Sequence, residues 1–246
     1  MPFEMGAAAT AFMAVAFFVA AFVRGYSGFG FSALVVSAAA LVTDPLYFVP
    51  VVMFCEFGMT AQQWRSVGAH VDWRRVRLLS LGALAGVPIG LAVITGIGAD
   101  AVRIVIAGYV MLMCAVMLAG WKMKSEAGAS AVVGAGFASG LANAPGMGGL
   151  PVATFFAAQS IAAVTFRATL IVYFALLDAY SAPLMWWHGM ISRDTFVAIV
   201  LSLPLLAAGL WAGSRHFLRT DPKDFRVVTI GLLMLLAALG LLKSVL

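Results

Sequence analysis

Charged side chains are scarce in this sequence. Asp, Glu, Lys and Arg make up 10% of its 246 residues, whereas a soluble domain carries about 25%. Hydrophobic residues make up 63%, and several apolar runs reach the ~20 residues that a helix needs to cross a bilayer. Because backbone polar groups in lipid need internal partners, such runs must be helices. The composition excludes a soluble catalytic domain and predicts an all-α integral membrane protein with a single membrane domain, 1–246.

Residue types that form cross-links, metal sites and active sites are also few. The two cysteines, Cys55 and Cys114, lie inside apolar runs, so we expect no disulfide. The three histidines form no group with metal-site spacing, and no nucleotide-binding loop is present. The basic residues behind the net charge of +5 lie in short loops, as membrane topology requires. We therefore expect no enzyme activity, no cofactor or metal, and no nucleic-acid partner.

What the sequence does contain is an internal repeat. Residues 102–118 recur as 225–241 at an offset of 123, and the same offset relates Ala85–Gly86 to Ala208–Gly209. A glycine cluster lies near the start of each half. A duplicated half with an interrupted hydrophobic segment is typical of membrane transporters. The repeat therefore favours a transporter over a structural scaffold, which needs no matched glycine breaks.

Each half is predicted to contain five helical segments. Repeat 1 (1–121) and repeat 2 (130–246) are joined by a linker (122–129). The predicted segments are 7–23, 29–43, 45–64, 78–96 and 101–121, followed by 130–142, 149–161, 166–187, 195–213 and 226–244. An odd number of segments per half places the two halves in opposite orientations in the membrane. The fold prediction is therefore two five-segment inverted repeats.

Loop charges orient the chain. The 65–77 loop carries four arginines, so the positive-inside rule places it in the cytoplasm. The 97–100 turn has no Lys or Arg, whereas its repeat equivalent, 214–225, has three. Equivalent loops thus prefer opposite sides of the membrane, as an inverted repeat requires. The arrangement that satisfies the loops has both termini outside and the linker inside.

Two segments are too short to cross the membrane comfortably. Segments 130–142 and 149–161 would each be about 20 Å long as helices, against a hydrocarbon core of about 30 Å. A re-entrant hairpin or broken helix with its glycine tip near the midplane fits these lengths better. The equivalent 7–43 pair either forms a matching hairpin from the other side or crosses fully.

The two glycine tips are candidate anion-binding elements. Glycines allow close backbone approach, and each following helix begins with unpaired N–H groups at the positive end of its dipole. The alternative is that small residues only permit close helix packing. The candidate residues of the first tip (27–30) and the second tip (145–149) are Ser27, Gly28 and Gly30, and Gly146, Gly148 and Gly149.

Polar side chains flank both tips. Arg24 is a charge within the membrane if the first hairpin is re-entrant, which would indicate function, and a cytoplasmic topology residue if the segment crosses fully. The Asn143 amide either hydrogen-bonds an oxyanion or caps the next helix. Arg167 and Gln63 lie near segment ends, and we interpret them as an anchor and a solvated residue at the membrane surface.

Glu56 and Asp178 are the carboxylates placed deepest in apolar segments. At an offset of 122 they are equivalent under the repeat. A carboxylate at this depth is costly when ionised, so we expect it to be protonated or paired. The pair suits a proton-coupling site, and the alternative is a structural hydrogen bond to a neighbouring helix.

The residues around both tips resemble a known family. The stretches 24–30 and 139–149, together with the duplication, are similar to the TauE/SafE sulfite exporter family of bacterial membrane transporters. The resemblance implies a protein of the cytoplasmic (inner) membrane that carries sulfite, sulfoacetate or another organosulfonate, coupled to an ion gradient. It also implies that the two tips, with Arg24 and Asn143, form the substrate region.

The tips themselves differ, since the first has Phe29 and Phe31 where the second has Pro145 and Met147. This asymmetry favours an anion with a short carbon chain. Our hypothesis is a proton-coupled secondary transporter that works by alternating access. The alternatives are a passive anion channel of the same architecture and a carrier of a non-sulfur organic anion. The expected partners are the small anion, protons and the lipid bilayer, and homodimer formation is left open.

Overall fold

The computed structural model describes residues 2–120, 122–123 and 126–217. Within these ranges the chain is helical and contains no strand. The α-helices of these ranges are α1 (Ala7–Ser27), α2 (Phe31–Val42), α3 (Phe48–Val67), α4 (Trp73–Ile94), α5 (Ala99–Leu118), α6 (Ala129–Asn143), α7 (Gly149–Ala157), α8 (Ala163–Trp187) and α9 (Arg193–Phe217). The tenth predicted segment, 226–244, lies outside the described residues, as does the second copy of the repeat at 225–241.

Four of the described helices, α1, α4, α8 and α9, are long and apolar enough to cross a membrane. Their flanks still expose large apolar side chains, which a bilayer would cover, for example Val15, Leu81 and Val200. The prediction of an all-α, multi-pass membrane protein is therefore confirmed.

Helix α1 continues beyond its predicted end at residue 23 to Ser27. It ends there because Gly28 adopts a left-handed conformation (φ 83°) and its N–H donates to Arg24 O at 2.8 Å. Gly30 is also left-handed (φ 90°), and α2 begins directly after it. The first tip is thus a sharp break between two helices, and Arg24 lies inside the last turn of α1.

The second tip separates two short helices, as the segment lengths predict. Helix α6 has 15 residues and α7 has nine, so α7 is about 14 Å long at 1.5 Å per residue. Gly146 turns the chain with φ 76°, and Met147 N–H donates back to Ala142 O at 2.7 Å. Neither helix alone spans the hydrocarbon core of about 30 Å.

Helix α4 packs along α6 with very little separation between their backbones. Gly86 faces Phe137 O and Gly90 faces Leu141 O so closely that a Cβ at either glycine would overlap the carbonyl. Gly136 of α6 faces Leu79 O of α4 in the same way. Small residues that let helix backbones meet are the usual basis of helix association in membranes.

Helix α9 packs along α1 by the same means. Gly209 faces Phe18 O, and Gly213 faces Phe22 O of α1. In return, Gly25 of α1 lies against α9, where a Cβ would come within 2.6 Å of Leu210 O. Helices α3 and α8 pack against each other between these two pairs, so their side chains form the centre of the molecule.

The two hairpins open at opposite ends of α5. Near the start of α5, Arg103 Nη2 donates to Thr43 O, at the open end of the α1–α2 hairpin, over 3.2 Å. Just after α5, Lys122 Nζ donates to Ala157 O, at the open end of the α6–α7 hairpin, also over 3.2 Å. The two tips therefore enter the helix bundle from opposite ends.

Candidate functional site

Arg24 is completely buried, so it is not a surface residue at a helix end. Its Nη1 donates to Glu56 Oε2 at 3.2 Å, and its Nη2 donates to Thr60 Oγ1 at 3.0 Å. Arg24 has an exposed fraction of 0%, and Glu56 is 4% exposed. The pair joins the last turn of α1 to the middle of α3. A buried charge of this kind is stable only because it has an opposite charge and hydrogen-bond partners.

Glu56 and Asp178 face the same small cavity in the centre of the molecule. This central cavity is nearly closed, with a volume of about 10 Å³, and its walls come from α2, α3, α6, α7 and α8 and from the second tip. Its polar and glycine residues are Ser32, Glu56, Asn143, Gly146, Gly149 and Asp178. Asp178 is 4% exposed, and its Oδ2 has no hydrogen-bond partner. The cavity thus combines two carboxylates, an amide and a helix start.

Asn143 connects the second tip to α8. Its Nδ2 donates to Ser181 Oγ at 2.9 Å, and Ser181 Oγ in turn donates to Leu177 O at 2.8 Å. A second bond steadies the tip, since Ser139 Oγ donates to Gly148 O at 2.6 Å. The amide is therefore placed beside the cavity by side chains of α8.

The first tip does not line the central cavity. Gly28 packs against Arg167 of α8, where a Cβ would lie 2.9 Å from Arg167 Cγ. Ser27 Oγ bonds within its own segment, 2.8 Å from Val23 O, and accepts from Phe29 N–H at 3.3 Å. Gly30 precedes α2, and Ser32 in the first turn of that helix reaches the cavity. The first half therefore contributes Glu56 and Ser32 to the cavity, with Arg24 directly behind Glu56.

Sequence reasoning missed Thr60 and Ser181, which hold Arg24 and Asn143. Both follow a carboxylate by about one helical turn on the same helix: Thr60 is four residues after Glu56, and Ser181 three after Asp178. Residues at this spacing share a helix face, so the pattern was present in the sequence. It becomes informative only when the partner on the other helix is known.

Arg167 and Gln63 differ from the interpretation as surface residues. Arg167 is 8% exposed and donates from Nη2 to Gly25 O at 2.6 Å. Gln63 is 4% exposed, and its Nε2 donates to Ser214 Oγ at 3.2 Å. Both lie near helix ends in sequence, but packing of α1, α3, α8 and α9 encloses them. In the part of the chain that the structure describes, no group of three or more His, Cys, Asp or Glu is arranged to hold a metal ion.

Comparison with known proteins identifies the family of this chain. A curated relative, described as a probable sulfite/organosulfonate exporter TauE from Cupriavidus necator, is 25% identical over 182 residues, which cover 72% of this chain and 71% of the relative. No solved structure matches the chain. The family described as sulfite exporter TauE/SafE matches residues 13–239. The chain therefore belongs to the TauE/SafE sulfite exporter family, whose members are membrane transporters and not enzymes.

Proposed function

We propose that this protein transports a small sulfur-containing anion, an organosulfonate such as sulfoacetate or else sulfite, by proton-coupled alternating access. The observation that carries the proposal is the central cavity: two carboxylates from α3 and α8 face it, and Glu56 also binds the buried Arg24. The name of the relative, a probable sulfite/organosulfonate exporter, supports the substrate class. Charged groups inside a membrane protein usually mark the path of an ion or substrate.

The anion binds where the second tip meets the cavity. Backbone N–H groups at the start of α7, the Asn143 amide and the Arg24 guanidinium supply hydrogen-bond donors suited to an oxyanion. Glu56 lies between Arg24 and the cavity. While Glu56 is ionised, it pairs with the Arg24 guanidinium. The first tip (Ser27, Gly28 and Gly30) lets Arg24 lie beside the break in α1, and Gly146, Gly148 and Gly149 let the second tip approach the anion.

Proton coupling follows from the charge balance of this site. A proton on Glu56 neutralises the carboxylate that pairs with Arg24. A proton on Asp178 neutralises the second carboxylate of the cavity wall. Both changes lower the electrostatic cost of bringing in an anion. The protein therefore binds the anion and a proton together, and Glu56 and Asp178 are the coupling residues.

We also propose that the two halves form an inverted repeat, and helix packing supports this part of the proposal. Gly86 contacts Phe137 O, and Gly209 makes the equivalent contact with Phe18 O. The two glycines lie 123 residues apart in sequence, and the two phenylalanines lie 119 apart. The first helix of each half thus packs on the fourth helix of the other, and the two hairpins open at opposite ends of α5. Rocking of the α1–α9 pair against the α4–α6 pair exposes the site to each side of the membrane in turn.

We also propose the orientation that the loop charges favour, in the bacterial inner membrane with both termini outside. The arginine-rich loop between α3 and α4 then faces the cytoplasm. It lies beside the start of α8, since Asp72 N–H donates to Thr169 Oγ1 at 3.0 Å. Transport requires the lipid bilayer, the anion and protons, and we propose no other cofactor.

The test is transport by the purified protein in liposomes. Uptake of sulfite, sulfoacetate, other sulfonates and matching carboxylates is measured with and without a pH gradient. We expect saturable transport of the sulfur anions that a pH gradient accelerates. Preference for the carboxylates would assign a non-sulfur organic anion instead. Transport that neither saturates nor responds to the pH gradient would indicate a passive channel and overturn the carrier.

A further inference from the structure

The break in α1 frees a backbone carbonyl, and side chains from two other helices bind it. In a continuous helix Gly25 O would accept from the N–H of Phe29, but that N–H donates to Ser27 Oγ at 3.3 Å. Gly25 O instead accepts from Arg167 Nη2 at 2.6 Å and from Ser214 Oγ at 3.3 Å. Helices α8 and α9 are therefore fastened to the broken end of α1.

A fourth helix joins the same hydrogen-bond cluster. Ser214 Oγ, which donates to Gly25 O, accepts from Arg167 Nη2 and from Gln63 Nε2, each at 3.2 Å. We call Gly25, Gln63, Arg167 and Ser214 the Gly25 cluster. It ties α1 and α3 of the first half to α8 and α9 of the second half. The α1–α9 pair is thus fastened to the central helices α3 and α8 by side-chain hydrogen bonds at this point.

The Gly25 cluster lies between the substrate site and one end of the molecule. Gly25 follows Arg24 directly, and Gln63 lies one helical turn beyond Thr60 on α3. On the outer side, the Arg167 guanidinium carbon lies 4.8 Å from the centre of the Phe217 ring. That end also carries the arginine-rich loop, so the loop charges place it at the cytoplasmic face.

The opposite end of the site is closed in a different way. The repeat offsets relate Gly25, Gln63 and Ser214 to Ala144, Met185 and Leu91. All three are buried apolar residues, with exposed fractions of 0–1%. Closure by apolar packing needs no hydrogen bond to break. At these three described positions the side chains carry no hydrogen-bonding group, so they form no counterpart of the Gly25 cluster.

We propose that Arg167 is the gate residue at the cytoplasmic end of this transporter, an inference that rests on the proposed alternating access. Opening toward the cytoplasm moves the guanidinium away from Gly25 O. A guanidinium and a carbonyl left buried without partners are costly. An oxyanion at the entrance takes the donors that leave Gly25 O, since a guanidinium binds such groups through paired hydrogen bonds. The substrate thereby lowers the cost of opening, and the empty carrier stays closed on this side.

The experiment measures access to the central cavity from each side without relying on transport. Ser32, which lines the cavity, is replaced by cysteine (Ser32→Cys) in a Cys55→Ala, Cys114→Ala protein. A membrane-impermeant thiol reagent is applied to vesicles of both orientations. Arg167→Met removes the hydrogen bonds from Arg167 to Gly25 O and Ser214 Oγ. The matched control is Arg77→Met, at an exposed arginine whose Nε donates to Trp73 O within α4.

We expect Arg167→Met to raise the labelling rate from the cytoplasmic side about tenfold, because a hydrogen bond to a charged group is lost. Labelling from the outside should fall or stay unchanged, and Arg77→Met should match the parent. Sulfite or sulfoacetate should accelerate cytoplasmic labelling of the parent but not of the variant. If Arg167→Met does not accumulate, Ser214→Ala and Arg167→Lys take its place and should give a smaller increase with the same sidedness.

Two results would overturn the gate. One is an unchanged cytoplasmic labelling rate in a folded Arg167 or Ser214 variant, and the other is an equal increase from both sides, which indicates general loosening. The substrate proposal fails separately. If labelling shifts as expected but no sulfur anion is transported in liposomes, the gate stands and the substrate class is wrong. If sulfur anions are transported and labelling is unchanged, the gate alone is wrong.

Discussion

Arg24 and Glu56 form an ion pair in the interior of the protein, with Nη1 and Oε2 3.2 Å apart and side-chain exposures of 0% and 5%. The guanidinium belongs to the last turn before a helix break, and the carboxylate also lines the central cavity. One carboxylate therefore touches both the buried cation and the space in which we place the substrate. In the proposed mechanism, a proton on Glu56 controls whether Arg24 is available to an anion.

Loss of one partner of this pair should strongly destabilise the protein. Arg24→Met leaves an unpaired buried carboxylate, and we expect the free energy of unfolding to fall by about 3–5 kcal/mol. Glu56→Leu added to Arg24→Met should recover much of the loss, because both charges are then gone. The measurement is thermal or denaturant unfolding of the purified protein in detergent.

The matched control for that experiment is Asp100→Asn. Asp100 pairs with Arg103 at 2.6 Å, but its side chain is 85% exposed. Exposed ion pairs contribute about 0–1 kcal/mol, so this change should have little effect on unfolding. Equal losses in Arg24→Met and Asp100→Asn would show that burial of the Arg24–Glu56 pair is not what stabilises the fold.

Neutral carboxylates in the cavity should uncouple transport from the pH gradient. Glu56→Gln and Asp178→Asn each imitate the protonated side chain and can no longer release a proton. Glu56→Gln also leaves Arg24 without its opposite charge, so transport is compared per folded molecule. In that comparison we expect anion exchange at equal pH to persist, while acceleration of net flux by a pH gradient disappears. Glu4→Gln, at an exposed carboxylate far from the cavity, should leave the acceleration intact. If a pH gradient still accelerates net anion flux in both cavity variants, Glu56 and Asp178 do not couple transport to protons.

The second tip should not tolerate a side chain at Gly146. Gly146→Ala places a Cβ at φ 76° and within 2.8 Å of Val36 Cγ2. Gly189→Ala has a similar φ of 70° but meets nothing within 4 Å. Both changes carry a left-handed strain of about 1–2 kcal/mol, but only Gly146→Ala should also abolish uptake in liposomes. Equal uptake by the two variants would show that the close fit of the tip is unimportant.

Two glycines on α6 should respond in opposite directions to alanine. A Cβ at Gly136 would overlap Leu79 O of α4, whereas a Cβ at Gly134 meets nothing within 4 Å. Gly136→Ala should lower the free energy of unfolding by about 1–3 kcal/mol, the usual cost of overpacking. Gly134→Ala should raise it by up to about 1 kcal/mol through helix propensity. Unfolding in detergent measures both, and a loss in both variants would contradict close packing as the cause.

The helices and their breaks could largely be predicted from the sequence. The nine predicted segments that fall within the described residues all correspond to helices, because long apolar runs in lipid have no other stable conformation. The position of the break in α1 was less accurate. The helix continues to Ser27 because Gly28 caps it, and this cap encloses Arg24 in the last turn.

The composition of the site was only partly predictable. Repeat equivalence brought Glu56 and Asp178 together as a pair, and both face the central cavity. The family resemblance implied that the two tips together form the substrate region. The structure instead places Gly28 against Arg167 and Gly146 against Val36, since the residues opposite each tip differ between the halves.

By itself, the sequence determined that this protein is a helical membrane transporter with two glycine breaks and two deep carboxylates. These features depend on local composition. The length of an apolar run decides whether a helix can cross the membrane, and a glycine breaks the helix at its own position. Only the tertiary structure decided that Arg24 meets Glu56 and that Arg167 holds Gly25 O, 142 residues away. The reason is geometric: each residue turns a helix by about 100°, so packing between distant helices selects which side chains meet.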